Sequence, residues 1–417
     1  MLRLLQGGRR VPELTRQCQW QRTIATRFDR EEPVELKMFR ESVRRFTEKE
    51  ITPYANAWEE AGEYPVSLQT KAAEIGLYGI GLPDEYGGIG DSDARWQVAL
   101  LEELCRAGSL GLIESLLIHT IAVPPLLAAS DRGDGQLEAL RERVIPPVLR
   151  GEKRACLGVT EPSGGSDVAN LRTKAHVDGD HYIINGEKTF ITGGTRADFL
   201  TVAVRTGGEG KNGVSLIVVD GDTPGLQRTR LPTTGWWPSD TSHLTFTDCR
   251  VPRSNLVGEE GQGFPLIMHN FNLERFVIAV TAICLGEECL EEAESWARQR
   301  YTFGQPLLSR SVIQHRLVDM RTALTSCRAW MTLVAEQMSQ GHTDVASICM
   351  LKNHSSATLR DVVDGAVHVL GGASYIRGCK TERIFRDMNV LAIGGGSSEI
   401  MKELAFRQLE RNGSIAK

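Results

Sequence analysis

The residue pattern of this chain changes character twice, and those two changes limit its fold more than any single motif does. From Pro33 to about Gly151 apolar residues recur at three- and four-residue intervals, as at Leu36, Phe39, Val43 and Phe46, with charge on the other faces. That spacing predicts helices. From about Ala155 the texture turns to alternation and tight turns: Asn185-Gly186 gives a hairpin signal, and FLTVAVRT and GVSLIVVDGD are rich in β-branched residues. Past Glu260 the helical period returns and holds to the end. Helices, strands and helices joined by short loops predict an α+β protein of three parts packed into one body, at 33–153, 154–262 and 263–417.

A length of 417 residues leaves room for two or three domains, and a net charge of only −5 gives no reason to expect nucleic acid as a partner. Nine cysteines include no CxxC pair and no His/Cys cluster at zinc spacing, which points to reduced thiols and no metal. The apolar runs 112–129 and 276–285 are interrupted or too short to span a bilayer, so they read as core helices, and no transmembrane segment is expected. Residues 1–28 carry Arg3, Arg9, Arg10, Arg16, Arg22 and Arg27 against the single acid Glu13. That leader resembles a mitochondrial transit peptide and places the protein in the matrix, the plainer alternative being a basic segment without targeting value.

The stretch from Gly263 to Leu285 is almost wholly apolar, yet it holds an adjacent acid and base, Glu274 and Arg275. On a helix, Phe271 and Ile278 lie one turn either side of Glu274, while Arg275 projects about 100° away. A carboxylate desolvated by such neighbours has a raised pKa, which suits a general base near neutral pH. Taken alone, the stretch favours the plainer reading, a structural ion pair with some third group.

Neither a Rossmann fingerprint nor a P-loop occurs. Three small-residue patches lie in separate thirds of the chain instead. LGVTEPSGGSDV gathers Thr160, Ser163 and Ser166 around two glycines; HVLGGASY has Gly371 and Gly372; AIGGGSSEIMKEL runs Gly394 to Ser398 into a helix, where free amides favour an anion or simply take an N-cap. In this order, and with YIINGEKTFITGG, SDTSHLTFTDCRVP, LVGEEGQGF and RQRYTFGQPL, the chain from about Pro33 to Glu410 resembles the acyl-CoA dehydrogenase family of flavoproteins. The resemblance implies an N-terminal helical domain, a middle β-barrel domain and a C-terminal helical bundle, assembled as a homotetramer that holds FAD and acyl-CoA.

By the same resemblance, Leu157, Val159 and Thr160 with Phe190, Ile191 and Thr192 line the flavin, Phe190 standing where many members have tryptophan. Arg300 meets the FAD pyrophosphate of a neighbouring subunit. Ser311, where glutamine is frequent, is a further FAD contact. His368, also in place of glutamine, Val369, Leu370, Gly371 and Gly372 form the loop on the adenosine side, and Ser397, Ser398 and Glu399 the helix start that receives phosphate. Ser166 is a contact to the thioester end of CoA, and Asn272, Arg275, Gly395 and Gly396 are further substrate contacts.

Many members carry the base in a Tyr-Glu-Gly-Thr run, but the matching position here is Gly395. Isovaleryl-CoA and long-chain members place it in a Leu-Glu-Arg run, which matches Leu273-Glu274-Arg275 and makes Glu274 the base. The implied reaction removes the α-proton to Glu274 and the β-hydride to flavin, gives a trans-2-enoyl-CoA, and sends electrons to an electron-transferring flavoprotein. Three glycines at 394–396 favour a long or branched acyl chain by leaving volume. The alternatives are an oxidase that passes electrons to oxygen and a catalytically silent member acting in assembly.

Overall fold

The computed structural model describes residues 32–90 and 93–415, so the basic leader lies outside the described residues. Eight helices come first: α1 (Val34–Phe46), α2 (Ala55–Ala61), α3 (Ser67–Glu74), α4 (Ala94–Leu104), α5 (Leu110–Leu117), α6 (His119–Ala122), α7 (Pro124–Ala128) and α8 (Gln136–Leu149). In α1 the buried residues are Leu36, Phe39, Val43 and Phe46, the stripe the spacing predicts. The apolar run 112–129 forms α5 to α7, broken by a 45° bend, and no single described helix is long and apolar enough to cross a bilayer.

The middle part holds β1 (Ala155–Gly158), β2 (Lys174–Asp178), β3 (His181–Ile191), β4 (Phe199–Arg205), β5 (Val214–Asp220), β6 (Leu226–Arg230), β7 (Ser242–Pro252) and β8 (Leu256–Val257). The sheet runs β6-β7-β3-β2-β4-β5-β8, with β1 parallel to β4. Its end strands β6 and β8 do not pair with each other, so the barrel is open-edged, and β2 meets β4 through one pair, Lys174 with Arg205. The hairpin signal at Asn185-Gly186 is misplaced. Both residues lie inside β3, and the β2–β3 turn is Gly179-Asp180, between the paired Asp178 and His181. Gly186 marks a register shift instead; at φ 146°, a β-carbon there would come within 2.6 Å of Thr173 Cα.

The third part begins with α9 (Gly263–Gln299), continues through a short hairpin, β9 (Tyr301–Thr302) and β10 (Gln305–Pro306), and ends in α10 (Ser311–Ser339), α11 (Val345–Leu370), α12 (Lys380–Asp387) and α13 (Ser398–Arg411). One apolar core runs through the N-terminal helices and α9 to α11, while a second fills the sheet. Polar ties cross the same boundaries: Arg328 of α10 pairs with Glu102 of α4 and Glu287 of α9. Asn270 of α9 donates to Ile121 O at 3.1 Å, fixing α9 against α6.

Candidate active site

Glu274 sits on α9 one turn from Phe271 and Ile278, as the helical spacing places it. Its Oε2 is buried without a hydrogen-bond partner, and no ion pair with Arg275 forms. Burial pushes the carboxyl up to about 7, against the smaller opposing pull of Arg275 and Lys352. The structural ion pair is thereby excluded among the described residues. What stands in its place is an unpartnered carboxylate poised to exchange a proton near neutrality.

Facing it is the loop 394–396. Gly395 has φ +64° and Gly396 φ +107°, the left-handed region that favours glycine. A β-carbon at Gly395 would lie 2.9 Å from Ile278 Cδ1 and 3.8 Å from Glu274 Oε1. The loop backbone is thus in direct reach of the carboxyl, but Ile278 fills the space a side chain would take. Gly395 is accordingly needed for the turn and the close approach, and the volume expected from it is already occupied. At Gly396 a β-carbon would come 2.5 Å from Met401 Cε.

Arg275 and Asn272, expected at the substrate, are bonded to each other and to the loop. Arg275 Nε donates to Gly395 O at 3.0 Å, its Nη1 to Asn272 Oδ1 at 3.2 Å, and the guanidinium lies over the Phe271 ring. These bonds hold the loop against α9. Lys352 of α11, which the sequence reading passed over, holds the next peptide: Nζ donates to Gly396 O at 2.6 Å, and the neighbouring Asn353 donates to Ser398 O at 2.9 Å. Burial lowers Lys352 to about 8, and Arg275 adds to that. Among the described residues no backbone carbonyl takes the Gly395 amide, which leaves it available as a donor. Glu114 of α5 was also passed over. It is pushed up to about 8 by burial and then by the Glu274 charge.

A second face gathers around the start of the sheet. Thr189 N donates to Thr160 O at 2.9 Å, which sets the segments 157–160 and 189–192 side by side. Leu157, Val159 and Ile191 are buried; Thr160 and Thr192 are half-buried. Phe190 departs from its strand: at φ +60°, within a register shift between Lys188 and Ile191, its ring stands 69% exposed. An aromatic ring held outward in a strained backbone fits a platform for a planar ring system. The segment is anchored from beneath by the buried pair Lys188–Glu161 at 2.8 Å. Burial alone would raise the Glu161 carboxyl, but Lys188 and Thr173 outweigh it and hold it at about 2. Ser166 lies in the exposed loop that Glu161 opens.

The remaining expected contacts divide. Arg300 and Ser311 are exposed, beside the hairpin that carries Phe303 at 96% exposure. Gly371 and Gly372 are open, with nothing within 4 Å of a β-carbon at either. His368 is exposed and its Nδ1 lies 2.8 Å from Asp364 O. Val369 and Leu370, by contrast, are core side chains and present no surface to a ligand. At α13 the expected phosphate contacts stand at the helix start and also bond within it. Ser397 caps the helix by accepting from Ile400 N at 3.4 Å, and the Glu399 carboxylate bonds its own amide and Ser397, which keeps it below its usual range. Ser398 turns back to Ala392 O at 3.5 Å.

Family comparison bears on this arrangement directly. Models of the acyl-CoA dehydrogenase N-terminal, middle and C-terminal domains match residues 33–152, 156–249 and 261–410. The chain belongs to the acyl-CoA dehydrogenase family. It is an oxidoreductase acting on CH–CH groups, with the three-domain fold of that family. The rat mitochondrial long-chain specific acyl-CoA dehydrogenase is 34% identical over 90% of this chain and 86% of that protein. The cyclohexane-1-carbonyl-CoA dehydrogenase of Geobacter metallireducens is 32% identical over 90% and 97%. Among solved structures, the acyl-CoA dehydrogenase of Geobacillus kaustophilus superposes with a TM-score of 0.85 at 35% identity, covering 91% of this chain and 99% of that one. A glutaryl-CoA dehydrogenase from Mycobacterium smegmatis, solved in complex with FADH2, shares the fold at 22% identity and a TM-score of 0.83, over 91% and 95%. Neighbours in the acyl-CoA dehydrogenase family bind FAD, as the FADH2 complex shows, and the exposed Phe190 ring of this chain suits a flavin.

Proposed function

We propose that the protein converts an acyl-CoA thioester to its trans-2-enoyl-CoA with Glu274 as the base. The observation that carries this reading is the unpartnered Glu274 carboxyl held within reach of the Gly395 backbone. Ionised Glu274 takes the α-proton of the thioester. The charge that develops on the carbonyl oxygen is met by the Gly395 amide, which Arg275 and Lys352 aim by fixing the carbonyls of Gly395 and Gly396. Bound FAD supplies the acceptor for the β-hydride, and the carbon–carbon double bond forms as that hydride leaves. Burial of Oε2, on the stripe of α9 that also carries Phe271 and Ile278, maintains its basicity.

The substrate we favour is long-chain or branched. Support comes from a base carried on α9 rather than on the 394–396 loop, so that loop presents only backbone to the acyl group. Electrons pass to an electron-transferring flavoprotein, the subunits form a homotetramer, and the arginine-rich leader directs the protein to the mitochondrial matrix, where it serves fatty-acid or branched-chain oxidation.

Anaerobic bleaching of the FAD-loaded protein by a panel of straight, branched and cyclic acyl-CoAs tests the reading. Bleaching by at least one long or branched member, with no peroxide on admitting air, is the expected result. Peroxide stoichiometric with product would establish an oxidase, and a flavin that no acyl-CoA bleaches would establish a silent member.

A further inference from the structure

Lys188 has no access to solvent, yet it stands on β3 only two residues before the outward ring of Phe190. Its Nζ donates to Glu161 Oε1 at 2.8 Å and to Val159 O at 3.0 Å. The first bond pairs two buried charges. The second serves a different end, since it adds nothing to Glu161, whose carboxylate also accepts from Arg172 N at 2.6 Å and Thr173 N at 2.8 Å.

Val159 lies just past the end of β1, where the ladder to β4 stops at the pair Gly158 and Val202. Among the described residues no backbone amide reaches the Val159 carbonyl, so the ammonium takes the place of a ladder bond. The next carbonyl, Thr160 O, accepts from Thr189 N at 2.9 Å. Two consecutive carbonyls are thus tied to β3, one on each side of the Thr160 amide. In a trans peptide the N–H points opposite to the carbonyl, and no cis bond occurs among the described residues. Drawing Val159 O toward a fully buried ammonium therefore turns the Thr160 N–H away from the interior, where no backbone carbonyl among the described residues accepts it. Thr160 is half-buried, and its segment lies beside the one that holds Phe190 outward.

We propose that Lys188 is a positioning residue for the cofactor: by fixing the Val159–Thr160 peptide it keeps the Thr160 amide turned toward the flavin ring, and so raises the reduction potential of the bound FAD. This role rests on the assignment of the flavin to the face that carries Phe190. Two-electron reduction adds electron density to the ring, so a donor aimed at one of its acceptor atoms binds the reduced form more tightly than the oxidised form. Lys188 itself touches neither flavin nor substrate and acts only through the peptide it holds.

The test is the midpoint potential of bound FAD, titrated spectroelectrochemically without acyl-CoA in the parent, in Lys188→Met, and in Lys188→Met combined with Glu161→Gln. The double variant loses one positive and one negative charge, so the net charge of the region is that of the parent while Val159 O loses its donor. Replacing a buried ion pair by neutral side chains is often close to neutral for stability. In the double variant the reduced state should be favoured about three- to ten-fold less than in the parent, the range of one hydrogen bond, which is a fall of about 15–30 mV for two electrons. Lys188→Met alone, which also leaves Glu161 negative, should fall further. A side chain that only props the strands would weaken oxidised and reduced FAD alike. The parent potential in either variant would therefore overturn the proposal whatever happens to FAD affinity, and one variant decides if the other does not fold. A parent that binds no FAD would overturn it as well. Failure of every acyl-CoA to bleach the flavin would instead overturn the proposed reaction and leave the potentials readable, since no acyl-CoA enters the titration.

Discussion

Glu274 keeps an unpartnered oxygen in an apolar setting, and that one condition fixes both its chemistry and its effect on stability. Its folded value, about 7, lies above the 4.5 of an ordinary glutamate, so between those values the folded chain binds more protons than the unfolded one. Stability therefore falls as pH rises from about 4.5 to about 7 and then levels. Glu274→Gln removes this penalty, so the variant should gain on the order of 1–3 kcal/mol relative to the parent at pH 8 and little at pH 4, as read from urea unfolding at each pH. Glu274 was legible from sequence because its apolar stripe and its Leu-Glu-Arg run both lie within one helix. Lys352 was not, since it reaches the loop from another helix and carries no local pattern that marks it. Ser397 and Glu399 are less readable: a serine followed by an acid at a helix start reads as anion cradle or as cap, and Ser397 accepts from Ile400 N as a cap does.

Among the elements, the loop 394–396 depends on α9 and α11 for its shape. Lys352→Met removes the bond to Gly396 O and one of the two cations that hold the Glu274 carboxyl down. It should slow flavin reduction about ten-fold or more, and should also move the ascending limb of the pH–rate profile upward, because Glu274 then loses its proton at higher pH. A slower rate on an unmoved limb would show that Lys352 supports the loop alone. Gly395→Ala meets both a left-handed φ and Ile278 at 2.9 Å, and should lose about 1–3 kcal/mol in thermal or denaturant unfolding. Adding Ile278→Val should recover the packing share but not the backbone share. The order of the elements was readable from hydrophobic period, as α1 shows, because one face of each helix must be buried. The β2–β3 turn was not, because Asn-Gly suits a hairpin and a bulge alike, and only the approach of Thr173 to Gly186 decides between them.

At the scale of the whole molecule, the helical parts share one core, so a cation between them should act on global stability. Arg328 ties α4 to α9, and Arg328→Met should destabilise the entire cooperative unit by about 2–4 kcal/mol, leaving Glu102 and Glu287 short of a partner. Large apolar side chains also stand outside that core: Phe303 is 96%, Tyr375 90% and Ile376 67% exposed. Such surfaces are costly in a monomer. Sedimentation of the FAD-loaded protein should report a tetramer, and Phe303→Asp should weaken the assembly and flavin retention together if the hairpin that follows Arg300 meets a neighbouring subunit. The three-part architecture was visible in the sequence at this scale, whereas the open edges of the sheet depend on pairings distant along the chain, which local texture does not encode.

The most direct measurement is the pre-steady-state rate of anaerobic flavin reduction in the parent and in Glu274→Gln, across pH 5 to 9, with an acyl-CoA that bleaches the parent. The parent rate should rise with pH through an apparent value near 7, and the Gln variant should bind the substrate normally, reduce its flavin ~10²–10⁴ times more slowly, and show no such limb. A Gln variant that keeps the parent rate and the parent pH profile would contradict the account at its centre, because the α-proton would then be leaving to some other group.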